Sequence, residues 1–172
     1  MKREYIFIMV LSFCLCSAGA KDFYPFSFNM GYSKIYTGLA DNYRLQLDAG
    51  YKIRRFEPFL WYSYAYVYII DMHTGGAGVR YHFFSVRPKV NRWIDPYLSL
   101  KAGAVLHRIM PMREFPGNGR SSSRFVYNAG AGCIAYLLPW AGVFGEFGLD
   151  GHSIRRSPFN NTYFYFGLNI RF

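Results

Sequence analysis

Cysteine is nearly missing from this chain of 172 residues: there are three, Cys14, Cys16 and Cys133. The first two fall inside an apolar N-terminal run, so Cys133 stands alone in the remainder. One thiol cannot close an intrachain disulfide, and no Cys/His spacing of the zinc-binding kind is present. A disulfide-stapled secreted scaffold and a zinc module are thereby excluded. Acidic residues are also scarce, 10 Asp and Glu against 20 Lys and Arg. Beyond residue 20 no apolar run reaches the about 18 residues that mark a spanning helix. Any passage through a membrane would have to be made by strands.

The N-terminus reads as a leader. Lys2 and Arg3 precede an apolar run from Tyr5 to Cys16, and Ser17-Ala18-Gly19-Ala20 follows with the small residues of a cleavage site. Residues 1–20 are therefore expected to be a signal peptide cut before Lys21, with an apolar stretch too short to span. The bulky Phe13 and Leu15 in front of Cys14 and Cys16 argue against a lipid-modified cysteine. Without the leader the chain carries a net charge of +9 and fits a single domain, 21–172.

What the sequence has in excess is aromatic side chains, 21% of all residues, with 16 Tyr and 17 Phe. They recur with period 2. Eight alternating segments lie at about 24–36, 43–54, 57–70, 76–86, 95–108, 124–137, 140–151 and 161–172. Several are 12 to 14 residues long, against roughly 5–6 for strands of soluble proteins. A tilted membrane strand needs about 9–11 residues. The connections alternate in length. Arg55-Phe56-Glu57 and Leu138-Pro139-Trp140 read as tight turns and 86–94 as compact, whereas 109–123 and 152–160 are long, basic and rich in Gly, Ser and Pro. The remaining connections are 37–42 and 71–75. Short turns at one end and long loops at the other are the pattern of an outer-membrane barrel. A secreted soluble β-sandwich is the competing architecture.

Each segment divides into two faces. In 43–54, Tyr43, Leu45, Leu47, Ala49 and Tyr51 oppose Arg44, Gln46, Asp48, Gly50 and Lys52. Leu98, Leu100, Ala102, Ala104 and Leu106 oppose Ser99, Lys101, Gly103 and His107; Val143, Phe147 and Leu149 oppose Gly142, Glu146, Gly148 and Asp150. Val79, Tyr81 and Phe83 oppose Arg80 and His82. In 57–70 both faces are apolar or aromatic. Trp61, Ala65, Val67 and Ile69 are assigned to lipid, and Tyr62, Tyr64, Tyr66 and Tyr68 to the interior. The last segment, TYFYFGLNIRF, sets Phe164, Phe166, Leu168, Ile170 and Phe172 on one face.

A leader, eight alternating segments, alternating loop lengths and a terminal Phe172 together resemble the OmpA/OmpX-type eight-stranded outer-membrane barrels. The resemblance implies an all-β, antiparallel, up-and-down transmembrane barrel in the outer membrane of a Gram-negative bacterium, present as a monomer. Its implied partners are membrane lipid, lipopolysaccharide and the barrel assembly machinery, which would read Phe164, Phe166, Leu168, Ile170 and Phe172 as a signal. It implies no cofactor and no metal. The positive net charge alone does not indicate nucleic acid.

Three groups of residues could carry function. Inside, Arg44, Lys52, Arg80 and Lys101 face Asp48, Glu146 and Asp150. An eight-stranded interior is just wide enough for side chains to fill, so an ion-pair plug is expected rather than a diffusion pore. At the long loops, Arg108, Arg113, Arg120, Arg124, Arg155 and Arg156 could hold phosphates of lipopolysaccharide or of a polyanionic partner. His107, His152 and Ser153 are candidates for chemistry at the rim. The stretch EFGLDGHS resembles the approach to the active site of the lipid A 3-O-deacylase family. It departs from that pattern because His152 and Ser153 are adjacent and no Asp or Glu follows residue 150. The lipid A palmitoyltransferases, also small barrels, offer no motif to carry over. The expected class is accordingly a structural or interaction protein, with a lipid A-modifying enzyme as the alternative.

The terminal pattern makes a prediction. Deleting Phe172, or placing Asp there, should lower the amount of protein in the outer-membrane fraction and leave unfolded chain in the periplasm. Burial at an interface gives Phe less than about 1.5–3 kcal/mol, so molecules that do insert should melt nearly as the wild type. Unchanged membrane yield would remove the assembly role.

Overall fold

The computed structural model describes residues 25–36, 41–67, 70–84, 93–109, 121–152 and 161–172. They form eight strands: β1 Phe26–Tyr36, β2 Asp41–Tyr51, β3 Phe56–Val67, β4 Ile70–His82, β5 Ile94–Ile109, β6 Ser121–Leu138, β7 Ala141–His152 and β8 Asn161–Arg171. Each pairs antiparallel with its neighbour in sequence, and β8 returns to β1, so the sheet closes into an up-and-down barrel. The closing ladder runs from Ser27↔Arg171 to Tyr36↔Thr162. Backbone bonds between Phe26 and Phe172, 3.1 Å in both directions, extend it to the last residue.

The barrel has a turn end and a loop end. At the turn end β2 and β3 join through Arg54-Arg55, with Ile53 and Phe56 exchanging backbone bonds of 2.6 and 3.0 Å. Arg54 takes φ 57°, a region in which Gly is the usual occupant of such a hairpin. The Arg55 carbonyl accepts from His82 N at 2.7 Å and ties the turn to β4. The β6–β7 turn at Pro139-Trp140 lies at the same end, where the pairing register shifts between Tyr136 and Leu138.

Alternation is nearly strict. Tyr32, Tyr43, Leu45, Leu60, Leu98, Leu100, Leu106, Phe147, Phe166 and Leu168 point outward and are exposed. An apolar surface this continuous is stable only against hydrocarbon. At the turn end it is bordered by an aromatic band. Phe26 packs on Tyr51 (4.9 Å) and Phe172 (6.0 Å), and Phe56 on Tyr81 (5.3 Å), with exposed Trp93 and Trp140 nearby in the chain's turn regions. Such bands mark the edges of a bilayer.

Two expectations need correction. First, the β2–β3 turn lies at Arg54-Arg55, so Glu57 belongs to a strand and points inward. Period 2 then carries Phe59, Trp61, Ser63 and Ala65 inward, and Leu60, Tyr62 and Tyr64 outward. The assignment of Trp61 and Ala65 to lipid and of Tyr62 and Tyr64 to the interior is therefore reversed. The side chains of Tyr66, Val67, Tyr68 and Ile69 lie outside the described residues. The cause is electrostatic. Glu57 cannot face hydrocarbon, and its position fixes every later residue of the strand. Second, Asp71–Gly75 is not a loop; β4 begins at Ile70. Gly75, expected to close that connection, stands in the β4–β5 ladder opposite Ala104.

Glycines on the inner wall make room for large neighbours. A Cβ on Gly78 would come within 2.5 Å of the Phe59 ring, and one on Gly132 within 2.5 Å of the Tyr97 ring.

The facing of β3 can be read by fluorescence, because the three tryptophans divide between lumen and surface. In vesicles of brominated lipid, a variant keeping only Trp61 should retain most of its emission. Variants keeping only Trp93 or Trp140 should be strongly quenched. Strong quenching of Trp61 would restore the opposite facing.

Candidate functional site

The inward positions bring together residues far apart in sequence. Arg80 on β4, 1% exposed, is the centre. Its Nη2 meets Asp48 Oδ2 on β2, and its Nη1 donates to Glu57 Oε1 on β3 at 2.8 Å. Its Nε stands 4.0 Å from Glu146 Oε2 on β7, an ion pair without a direct hydrogen bond. The guanidinium lies 4.0 Å over the Phe59 ring and 5.5 Å from that of Tyr97. One cation thus gathers three carboxylates from three strands.

Two further groups flank it. Lys101 Nζ contacts Glu146 Oε1 at 2.7 Å, and the Tyr163 hydroxyl donates to the same oxygen at 2.7 Å. Lys101 also lies 5.2 and 5.1 Å from the Tyr163 and Tyr165 rings. Towards the turn end, Asp95 Oδ2 receives Lys52 at 2.8 Å and Arg171 at 3.0 Å. The His82 ring bridges Asp95 and Glu57, with each ring nitrogen 3.1 Å from a carboxylate oxygen. Ser27 donates to Glu57 at 2.9 Å. Aromatic packing fills the space between: Tyr97, Ile134, Tyr136, Phe144, Tyr163 and Tyr165 form one cluster, and Phe59, Trp61, Val105 and Val126 another.

Every interior residue expected from the sequence, namely Arg44, Asp48, Lys52, Arg80, Lys101, Glu146 and Asp150, is buried on the inner wall. The network joins Asp48, Arg80, Glu146 and Lys101 in one group and Lys52 in the adjoining one. Arg44 and Asp150 lie nearer the loop end, where Asn128 donates to Asp150. Sequence reasoning missed four members. Glu57 was placed in a turn. Asp95 stands at a strand start beside Pro96, and His82 and Arg171 were read as inward without a partner. Parity could have found three of them: His82 shares a face with Arg80, Asp95 with Ser99 and Lys101, and Arg171 with Asn169, whereas Glu57 shares one with Trp61, which was assigned to lipid.

The other candidates are placed as follows. Arg108 and Arg124 are exposed near the loop end of β5 and β6. Arg113, Arg120, Arg155 and Arg156 lie outside the described residues. His107 is half-buried on β5, His152 ends β7, and β6 separates their strands. Ser153 lies outside the described residues. Among the described residues no cluster of three or more His, Cys, Asp or Glu could hold a metal. Phe164, Phe166 and Leu168 are exposed, Ile170 and Phe172 half-buried, and all are set opposite buried Tyr163, Tyr165 and Asn169.

No protein-family model and no curated protein matches the sequence. Solved structures do. Neisserial surface protein A matches with a TM-score of 0.63 at 14% identity, over 86% of this chain and 96% of that one. The fold is that of the small eight-stranded outer-membrane barrels of the OmpA/OmpX type. The N-terminal barrel domain of Pseudomonas aeruginosa OprF matches with a TM-score of 0.62 at 16% identity, over 85% and 97% of the two chains. Ail of Yersinia pestis, solved with the heparin analogue sucrose octasulfate, gives 0.53 at 15% identity, over 86% and 96%. At such low identity the likeness to these barrels lies in the backbone, and the interior network is described from this chain alone.

The network predicts a large effect from a single change. Arg80→Met would leave Asp48, Glu57 and Glu146 facing one another in a buried site, a loss of about 3–5 kcal/mol. Urea unfolding in lipid vesicles measures it. Replacing Asp48 and Glu57 with Asn and Gln in the same variant should recover part of the loss. Wild-type stability in Arg80→Met would show that the pairs carry no weight.

Proposed function

We propose that this chain is a monomeric outer-membrane barrel that works as a structural and interaction protein, with a plugged lumen and a basic outer rim. The turn end faces the periplasm and the loop end the outside of the cell, after export on a cleaved leader. The observation that carries the reading is the interior set around Arg80, in which side chains from β2, β3, β4, β5 and β7 meet across the lumen. Side chains that meet across an eight-stranded lumen leave little room for a solute path. Activity is then located at the rim and in the loops. Arg108, Arg113, Arg120, Arg124, Arg155 and Arg156 supply planar donors that suit phosphate or sulfate groups. The sulfated sugar held by Ail supports a polyanion as the partner class. Lipopolysaccharide phosphates meet the same requirement.

Two measurements test this. In planar bilayers the refolded protein should give little or no conductance; large, steady, ion-selective channels would overturn the plug. In surface plasmon resonance, immobilised heparin and lipopolysaccharide should bind the wild type with a steep salt dependence. Replacing Arg113, Arg120, Arg155 and Arg156 with Gln should weaken binding about tenfold or more, that is by 1.4 kcal/mol. Equal binding by that variant would remove the polyanion role of the loops.

A further inference from the structure

The turn end of the barrel divides its charges by face. Among the described residues its side-chain carboxylates are Glu57 and Asp95, and both are buried in the lumen. There Lys52, Arg80, His82 and Arg171 engage them. Arg54 and Arg55, at the tip of the β2–β3 hairpin, are exposed. The outside of this end thus presents two guanidiniums, and among the described residues no carboxylate meets either.

Arg55 is held at a definite depth. Its carbonyl accepts from His82 N at 2.7 Å, and its Nη1 donates to the Tyr81 hydroxyl at 3.3 Å. Tyr81 belongs to the aromatic band: its ring stands 5.3 Å from that of Phe56 and 5.8 Å from that of Phe83, both exposed on the outer wall. Such a band marks the edge of the hydrocarbon, so a guanidinium tied to it stands at headgroup height. The bond to Tyr81 uses one N–H and leaves the rest of the planar fork free for a phosphate. The hydroxyl, having accepted, keeps its own proton to donate to the same group.

Arg54 points the same way. At φ 57° it takes a conformation for which Gly is the preferred residue. Gly there would relieve the turn. Arginine instead carries a backbone cost and sets a second positive charge beside the first. Strain retained at an exposed position is a mark of function.

We propose that the β2–β3 turn binds an anionic glycerophospholipid, of the phosphatidylglycerol kind, in the leaflet at the turn end. Arg55 and Tyr81 hold the phosphate, Arg54 supplies the second charge, and the glycerol and upper acyl chains lie against Phe56 and Phe83. A zwitterionic headgroup fits less well, because its ammonium would meet two guanidiniums and no carboxylate. The proposal rests on the reading that this end faces the periplasm, where the leaflet is phospholipid; lipopolysaccharide occupies the other leaflet. It does not involve the loop arginines.

Native mass spectrometry of the detergent-refolded full chain tests it, with phosphatidylglycerol, phosphatidylethanolamine and phosphatidylcholine added in separate runs. Phosphatidylglycerol should be retained above the other two. Arg55→Gln and Arg54→Gly should each lower its retention about fivefold, the scale of one basic side chain at an anionic surface, and the double variant about thirtyfold. Arg54→Gly should at the same time raise the urea midpoint, because the turn gains its preferred residue, so that lost retention is separated from lost fold. Glycerol phosphate at equal concentration, with the phosphate but no acyl chains, should not displace the lipid. Equal retention of the three lipids, unaltered retention in the double variant, a lower midpoint in Arg54→Gly, or displacement by glycerol phosphate would each overturn the proposal. Orientation is read separately. With Cys133 replaced by Ala, an Arg54→Cys variant on intact cells should resist a membrane-impermeant maleimide. Labelling from outside, with lipid retention intact, would overturn the orientation and with it the leaflet.

Discussion

The pairing of β8 with β1 is the constraint on which the rest of this molecule depends. In hydrocarbon an unpaired backbone N–H or C=O costs several kcal/mol, so a sheet with open edges cannot stand there. Closure removes both edges at once. It also creates an inside, and that inside admits residues which the surrounding medium forbids. Arg80, Glu57, Asp48 and Glu146 can be buried only because the closed ladder brings strands distant in sequence within reach of one guanidinium.

Among the described residues the interior is close to electrically neutral. Arg44, Lys52, Arg80, Lys101 and Arg171 are matched in number by Asp48, Glu57, Asp95, Glu146 and Asp150, with His82 between two of the carboxylates. Among the described residues the excess positive charge is exposed, on Arg54, Arg55, Arg108 and Arg124. This separation has a physical basis. Charges that must pair are set by strand parity and neighbours, whereas charges in water are free of that requirement. A basic surface and a neutral core thus coexist in one chain.

Much of this was legible in the sequence, and the failures have specific causes. The closed antiparallel order was implied by the alternating loop lengths and the resemblance to eight-stranded barrels, while strand number and the faces of β2, β4, β5, β7 and β8 follow from alternation. The face of β3 does not, because Leu60, Tyr62 and Tyr64 are as apolar as Phe59, Trp61 and Ala65. Its orientation is set by one carboxylate, Glu57, and a turn placed two residues too late concealed it. The connection expected at 71–75 misled for a related reason. Glycine marks turns in water-soluble hairpins, but here Gly76 and Gly103 mark a close approach of two strands. Which cation meets which carboxylate could not be read from spacing. Arg80 and Glu57 are 23 positions apart, Arg171 and Asp95 76. Those pairings depend on register around the whole circumference.

The same circumferential wiring bears on how such a barrel can change over evolutionary time. Barrels alter their strand number by gaining or losing hairpins, and diameter follows strand number. Here the central cation draws its carboxylates from β2, β3 and β7, and its own strand, β4, lies between them. Excising any hairpin would remove a charge and strand its partners in the lumen. Inserting one would widen the wall and pull the pairs apart. A lineage carrying this interior is held at eight strands by its electrostatics, while its loops remain free to lengthen and diverge.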